Sequence, residues 1–148
     1  MSIVMICAFL GHDKIYDTDI RSRLRSAVYS VAKKCEEVSF IFCGCGEFYD
    51  LCYAAALEAK YHFPKKEIYI SNEIADKSML NQATVVITYV YDGLHEKQSL
   101  TCRAFKTQEV IDITSKETAS RIEFLIDTLT EREQLVMRRV NSGETLAQ

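Results

Sequence analysis

This 148-residue chain has little of what interrupts regular structure: one Pro, five Gly and no Trp. So few Pro and Gly residues exclude a collagen-like or low-complexity chain, and a hydrophobic content of 48% excludes wholesale disorder. No apolar run reaches the roughly 18 to 20 residues that span a bilayer, so no membrane association is expected. The net charge of -3 includes no basic surplus, so the composition does not imply a large nucleic-acid-binding face.

The cysteines and the amino-terminal residues indicate the compartment. Residues 1–13 (MSIVMICAFLGHD) lack the basic leader and cleavage site of a signal peptide and instead predict a first strand. Six Cys without a secretion signal favour reduced thiols in a cytoplasmic protein. Cys43 and Cys45 form a C-x-C pair, but a structural zinc site needs four ligands and the other thiols lie among apolar residues. We expect no metal or other cofactor, and a reactive Cys45 at a helix N-terminus is an open alternative.

Apolar runs and helical periodicity alternate along residues 1–113. Strands are predicted at residues 3–10, 40–43, 67–71, 83–91 and 110–113. Helices are predicted at residues 20–35, 48–62 and 98–108, and residues 72–81 are expected to form a loop with one helical turn. This alternation predicts a three-layer α/β domain with a mostly parallel sheet of about five strands and helices on both faces.

Residues 114–148 are predicted to be a helical extension. Capping boxes at Thr114–Glu117 and Thr130–Glu133 open two amphipathic helices, whose apolar surface predicts a homodimer or larger assembly. Residues 129–148 resemble the start of a helix-turn-helix of the sigma-factor region-four or LuxR type, without its recognition helix. We therefore expect no specific DNA binding by this chain and a module that continues past Gln148. A helical hairpin packed on the sheet or on a second subunit, with a frayed terminus, is the alternative.

Candidate ligand-binding residues follow three of the predicted strands. In open parallel sheets, ligands bind beyond the carboxyl ends of the strands. Three segments are expected there: Gly11-His12, then Gly44-Cys45-Gly46-Glu47-Phe48, and then Asp92-Gly93 leading to Ser99 and Arg103. The glycines permit a close backbone approach, and the following helix offers free N–H groups, which favours phosphate. Each feature also has a structural explanation, since tight turns need glycine and acidic residues suit a helix start.

The motifs at the first two turns resemble those of a known superfamily. Residues 7–12 (CAFLGH), residues 42–48 (FCGCGEF), the Ala-rich helix and Pro64 resemble the SLOG superfamily over roughly residues 3–113. This superfamily comprises Rossmann-like domains related to the "lonely guy" phosphoribohydrolases and to the DNA-uptake protein DprA. The likeness is to a small bacterial group with G-H-R after strand one and G-G-x-G-x-F-D after strand two. Asp13 replaces that Arg, Cys43 replaces the first Gly, and Tyr49 replaces that Asp.

The resemblance implies a Rossmann-like domain that binds a nucleotide or a nucleotide-derived ligand. It supports hydrolysis less, because residues 91–101 (YDGLHEKQSLT) replace the phosphoribohydrolase signature P-G-G-x-G-T-x-x-E. The leading prediction is a cytoplasmic sensor or regulatory domain, linked to a DNA-binding tail. One alternative is an N-glycosidic hydrolase with Glu47 as acid/base and Arg103 as phosphate clamp. A structural oligomerisation domain is the other.

Overall fold

The computed structural model of the chain describes residues 3–90 and 108–127, with side chains as far as Arg121. Within these ranges the elements are, in chain order, β1 (Val4–Gly11), α1 (Ile20–Lys34), β2 (Glu37–Phe42), α2 (Glu47–His62), β3 (Glu67–Ile74), α3 (Lys77–Asn81), β4 (Val85–Tyr89), β5 (Glu109–Asp112) and α4 (Lys116–Asp127). The five strands form one sheet of order β3-β2-β1-β4-β5, and every neighbouring pair is parallel. The predicted α/β, Rossmann-like fold is confirmed. The predicted helix at 98–108 falls almost entirely outside the described residues, and the helix-turn-helix start at 129–148 falls wholly outside them.

The central strands are buried on both faces. All five residues of β4 and the last five of β1 are buried. A strand covered by helices on both sides favours apolar residues at nearly every position, which is why both segments are mostly apolar rather than alternating, with Thr88 the polar exception in β4. β1 lies between β2 and β4, so its carboxyl end is in the middle of the sheet.

Two clusters of apolar side chains cover the two faces of the sheet. On one face, Phe9 and Phe40 pack with α1 and α2 in the larger cluster. On the other face, Ala8 and Leu10 pack with Leu80 of α3 in the smaller cluster. Successive strand residues point to opposite faces, so neighbours on β1 belong to different clusters. Helices therefore cover both faces, as the alternation predicted.

The boundaries of several elements differ from those predicted. β2 begins at Glu37, before the purely apolar run, because it pairs with both β1 and β3 from that residue onward. β3 continues to Ile74, where a loop was expected. α3 provides the predicted helical turn, and the side chain of Asp76 caps it by accepting from Met79 N–H at 2.8 Å.

The capping residue of α4 also differs from the prediction. Thr114 was expected to cap this helix, but its hydroxyl bonds to the carboxylate of Asp112 at 2.7 Å. The Oγ of Ser115 accepts from Thr118 N–H at 3.3 Å and caps the helix instead. The competing acceptor on Asp112 therefore moves the start of the helix by one residue.

None of the helices in the described part of the chain combines the length and the apolar character that crossing a membrane requires.

Candidate functional site

The order of the strands reverses at β1, and this reversal makes the carboxyl edge of the sheet beside β1 the expected position of a ligand site. β2 and β3 lie on one side of β1, and β4 and β5 lie on the other. Ligands of open α/β sheets bind in the crevice at such a switch point. The structure brings the first two predicted segments together here. Asp92, Gly93, Ser99 and Arg103 of the third segment lie outside the described residues.

Tyr89 ties the loop after β1 to the end of β4. Its hydroxyl donates to Asp17 and accepts from Tyr16 N–H at 2.9 Å, and its carbonyl accepts from His12 N–H at 2.9 Å. Asp17 is also paired with Arg23 of α1. Burial, and then the charge of Asp13, raises the pKa of Tyr16 to about 12. These contacts link the loop that borders the site to β4 and to α1.

Two of the predicted ligand-binding side chains lie in the protein interior. His12 is fully buried, with its ring edge-on to Tyr16 at 5.6 Å and to Tyr89 at 6.2 Å between centroids. Phe48 is also fully buried and stacks on Tyr89 at 5.2 Å. These contacts indicate that both side chains pack the protein interior, rather than contact a ligand.

The hydroxyl of Tyr49 satisfies both backbone groups of Gly11. It donates to Gly11 O at 3.0 Å and accepts from Gly11 N–H at 3.1 Å. Desolvation raises the pKa of Tyr49, so the hydroxyl keeps the proton that it donates. A Cβ at Gly11 would lie 2.7 Å from Tyr89 O, and one at Gly44 would lie 2.8 Å from the ring of Tyr49. Internal packing therefore accounts for both glycines.

One of the first-turn N–H groups of α2 that the sequence predicted for phosphate, that of Phe48, is engaged within the protein. Asp13 O accepts from Phe48 N–H at 3.1 Å. Gly46 allows this contact, because it has φ +130° and its Cβ position lies 2.9 Å from Asp13 O. Glu47 and Asp50 add carboxylates to the same turn, and both are exposed. This helix end is consequently a poor site for an anion, despite its dipole.

A cleft of about 580 Å³ opens between the loop after β1 and the first turns of α1 and α2, and we call it the first cleft. Its lining residues come from these three segments: Ile15, Tyr16, Asp17, Thr18, Ile20, Arg21, Glu47, Asp50 and Leu51. Arg21 is its only basic lining residue in the described part of the chain, and no ion pair of Arg21 is found there. Carboxylates on α2 and a guanidinium on α1 therefore share one cavity with apolar and aromatic surface.

A second cleft, of about 310 Å³, lies on the other side of the first turn of α2. It contains Gly44 and Cys45, the remaining members of the predicted turn motif, and Asp50 borders both clefts. Cys45 is exposed, whereas burial raises the pKa values of the Cys7 and Cys52 thiols. Among the described residues no group of three or more potential ligands could hold a metal ion.

Sequence reasoning did not select Tyr16 or Arg21 as site residues, although they line the first cleft. The available signal was the polar connection between β1 and α1, which is longer than a simple turn and follows a central strand.

No protein-family model matches this chain, and no curated protein is significantly similar to it. The resemblance to the SLOG superfamily therefore stays a prediction from the motifs at residues 7–12 and 42–48.

Proposed function

We propose that this domain binds a nucleotide or a nucleotide-derived small molecule in the first cleft and acts as a ligand sensor. One observation carries the proposal: the cleft adjoins the switch point of a parallel sheet and combines the two exposed carboxylates of α2, the ion-paired carboxylate of Asp17, a guanidinium and an aromatic side chain. Ligand sites of this kind are concave, partly apolar and lined by a few convergent polar groups.

The charges in the first cleft suggest an orientation for the ligand. Glu47 and Asp50 are acceptors suited to the hydroxyls of a ribose, as acidic residues are in dinucleotide-binding folds. Arg21 is the group suited to a phosphate, because a guanidinium makes two parallel hydrogen bonds to an oxyanion. Tyr16 offers a surface for the base. This orientation reverses the sequence-based expectation, which put the phosphate at the start of α2.

Thermal denaturation with AMP, adenosine and ribose 5-phosphate tests this proposal. A ligand that binds only the native state raises Tm, and AMP is expected to raise it most. Arg21→Gln is expected to weaken AMP binding about tenfold and to leave adenosine binding almost unchanged. Glu47→Gln is expected to weaken both. Glu36→Gln and Lys65→Gln, exposed changes of charge at the opposite edge of the sheet, are the controls.

A broad panel that includes cyclic and NAD-derived nucleotides decides against the proposal if no member stabilises the protein. In that case the structural oligomerisation domain becomes the better hypothesis. Equal effects of Arg21→Gln on AMP and on adenosine would contradict the orientation while leaving the site itself in place.

The hydrolase alternative depends on Glu47, which is exposed and lines the first cleft. A carboxyl group there has open access to the sugar of a bound nucleotide, as an acid/base for N-glycosidic cleavage must have. Release of free base from nucleoside monophosphates, abolished by Glu47→Gln, would establish this activity. Stabilisation without base release would favour the sensor.

We also propose that the domain works in the cytoplasm of a bacterium as a homodimer or larger assembly. The five cysteines in the described ranges are free thiols, which supports a reducing compartment. A monomeric mass by light scattering at micromolar concentration would contradict the assembly.

A further inference from the structure

The second cleft is built by a bulge in β3. Phe40 pairs with Ile70 and Phe42 pairs with Ile74, so residues 71–73 face Ile41 alone. The Oγ of Ser71 accepts from Glu73 N–H and donates to Glu73 O, both at 3.2 Å, which closes the bulge. Ala75 N–H then bonds to Phe42 O at 2.7 Å and restores the ladder. Bulges re-aim side chains, and this one brings Ser71, Asn72 and Glu73 to the wall of the cleft.

The opposite wall is aromatic. Tyr53 of α2 is 41% exposed and lines the cleft, and its ring centroid lies 6.0 Å from that of Phe42. Tyr49 also lines the cleft, but its hydroxyl is bound to Gly11 and leaves only the ring for a ligand. The cleft therefore joins an aromatic wall to a polar one.

The described charged side chains that line the second cleft, one on α2 and one on the bulge, are both acidic. Asp50 and Glu73 are exposed carboxylates, and neither has an ion pair within residues 3–90 and 108–121. No described lining residue is Lys, Arg or His. This charge disfavours a phosphate or a carboxylate ligand. A bound metal ion is also disfavoured, because no metal-ligating group of three is found among the described residues.

We propose that the second cleft binds a small organic cation, namely an ammonium group on a short apolar stem. The ammonium pairs with Asp50 and Glu73, and the stem and part of the charge contact the ring of Tyr53. Ring faces attract cations, and a carboxylate beside the ring adds charge complementarity. This site is separate from the nucleotide site proposed for the first cleft, although Asp50 borders both.

A titration of the full chain with 1,4-diaminobutane, followed by amide chemical shifts, tests this inference. We expect shifts at Gly44, Cys45 and residues 71–73, with residues 15–21 unchanged. The neutral analogue 1,4-butanediol is expected to cause no comparable shifts. Glu73→Gln and Tyr53→Leu are each expected to weaken diamine binding about tenfold, and Glu36→Gln is expected to leave it unchanged.

Three results would overturn the inference. The first is equal binding of the diol and the diamine, and the second is an unchanged affinity in Glu73→Gln. The third is an absence of shifts at Gly44, Cys45 and residues 71–73, including the case in which residues 15–21 shift instead. Both altered side chains are exposed, so we expect both variants to fold, and dispersed spectra will verify this. A loss of AMP binding in the first cleft would leave this result standing.

Discussion

The two edges of the sheet satisfy their backbone groups by different means. At the carboxyl edge, buried phenol hydroxyls do so: Tyr49 bonds to Gly11, and Tyr89 bonds to Tyr16 N–H. At the amino edge, the ammonium of Lys66 bonds to carbonyls at the end of α1, and the small hydroxyl of Thr84 bonds to both backbone groups of Ile6. The Nζ of Lys66 donates to the carbonyls of Ala32, Lys33 and Cys35 at 2.6, 3.1 and 2.9 Å, beyond the last turn of α1.

This difference sets the tolerance of each edge to substitution. A phenol reaches its partners through a rigid ring, so nearby backbone must leave room for the ring, and Gly44 does so beside Tyr49. An ammonium reaches its partners on a flexible stem that stays partly in water. Substitutions at the carboxyl edge should therefore cost more stability than equivalent ones at the amino edge.

Tyr49→Phe is expected to have the largest effect, a loss of about 3 kcal/mol of unfolding free energy. The change removes both hydrogen bonds between the hydroxyl and the buried backbone of Gly11, and the loss of a hydrogen-bond partner from a buried group costs about 1 to 3 kcal/mol. Urea denaturation measures the loss. Tyr53→Phe, on the exposed side of the same helix, is the matched control and should be nearly neutral. A loss below about 1 kcal/mol for Tyr49→Phe would show that water replaces the hydroxyl.

Gly46→Ala is expected to cost about 2 kcal/mol. The residue has φ +130°, and its Cβ would lie 2.9 Å from both the Cβ and the carbonyl of Asp13. The conformation alone costs an alanine about 1 to 3 kcal/mol, and the contact requires a backbone shift. Urea denaturation is again the measurement, and an unchanged midpoint would mean that the turn relaxes freely.

Lys66→Met is expected to cost about 1 kcal/mol. It removes three hydrogen bonds and a positive charge at the end of α1, but Lys66 is only partly buried, so water can replace part of its ammonium. Lys65→Met is the matched control, since Lys65 is exposed and has no such bonds among the described residues. If both variants lose the same stability, the capping role of Lys66 is wrong.

Glu37→Gln is expected to have the smallest effect, and the effect depends on pH. A side-chain hydrogen bond to Glu67 raises the pKa of Glu37, and partial burial and the charge of Glu67 add to this. The folded state therefore holds this proton more tightly than the unfolded state. The stabilisation that the bound proton provides is present below pH 4.5 and is lost as the pH rises through the raised pKa of Glu37.

Because the amide introduced by Glu37→Gln keeps a donor at every pH, the variant should gain Tm relative to the parent at pH 7 and little at pH 4. Glu36→Gln should show no such dependence. A parent and a variant with parallel pH profiles would contradict the shared proton.

Most of the fold could be predicted from the sequence because a strand that is buried on both faces is recognisable as a mostly apolar segment. β1 and β4 are mostly apolar, and the apolar stripe of α1 (Ile20, Leu24 and Val28) is buried as its spacing predicts. The second half of β3 is not recognisable in this way. Asn72 and Glu73 are polar because the bulge turns them to a cleft, and the bulge depends on the pairing of β3 with β2.

The site could be predicted only as a location. The glycines marked the turns at the carboxyl edge, but not the reason for them, which is the ring of Tyr49 and the backbone of Asp13. Tyr49 and Asp13 supply that explanation. Their meaning depends on contacts between segments far apart in sequence, and a single sequence does not display such contacts.

The central position of β1 has a consequence for folding. All pairs among the five described strands are parallel, so no two neighbours among them are joined by a tight hairpin, and each pairing must close a long loop. β1 is synthesised before its neighbours. The edge of β1 that faces β4 stays unpaired until β4 has been made, because Cys7 pairs with Val85. Such long-range pairing slows folding. A nascent chain therefore exposes an apolar strand edge until β4 emerges from the ribosome, and we expect that interval to be its period of greatest exposure to aggregation and to chaperones.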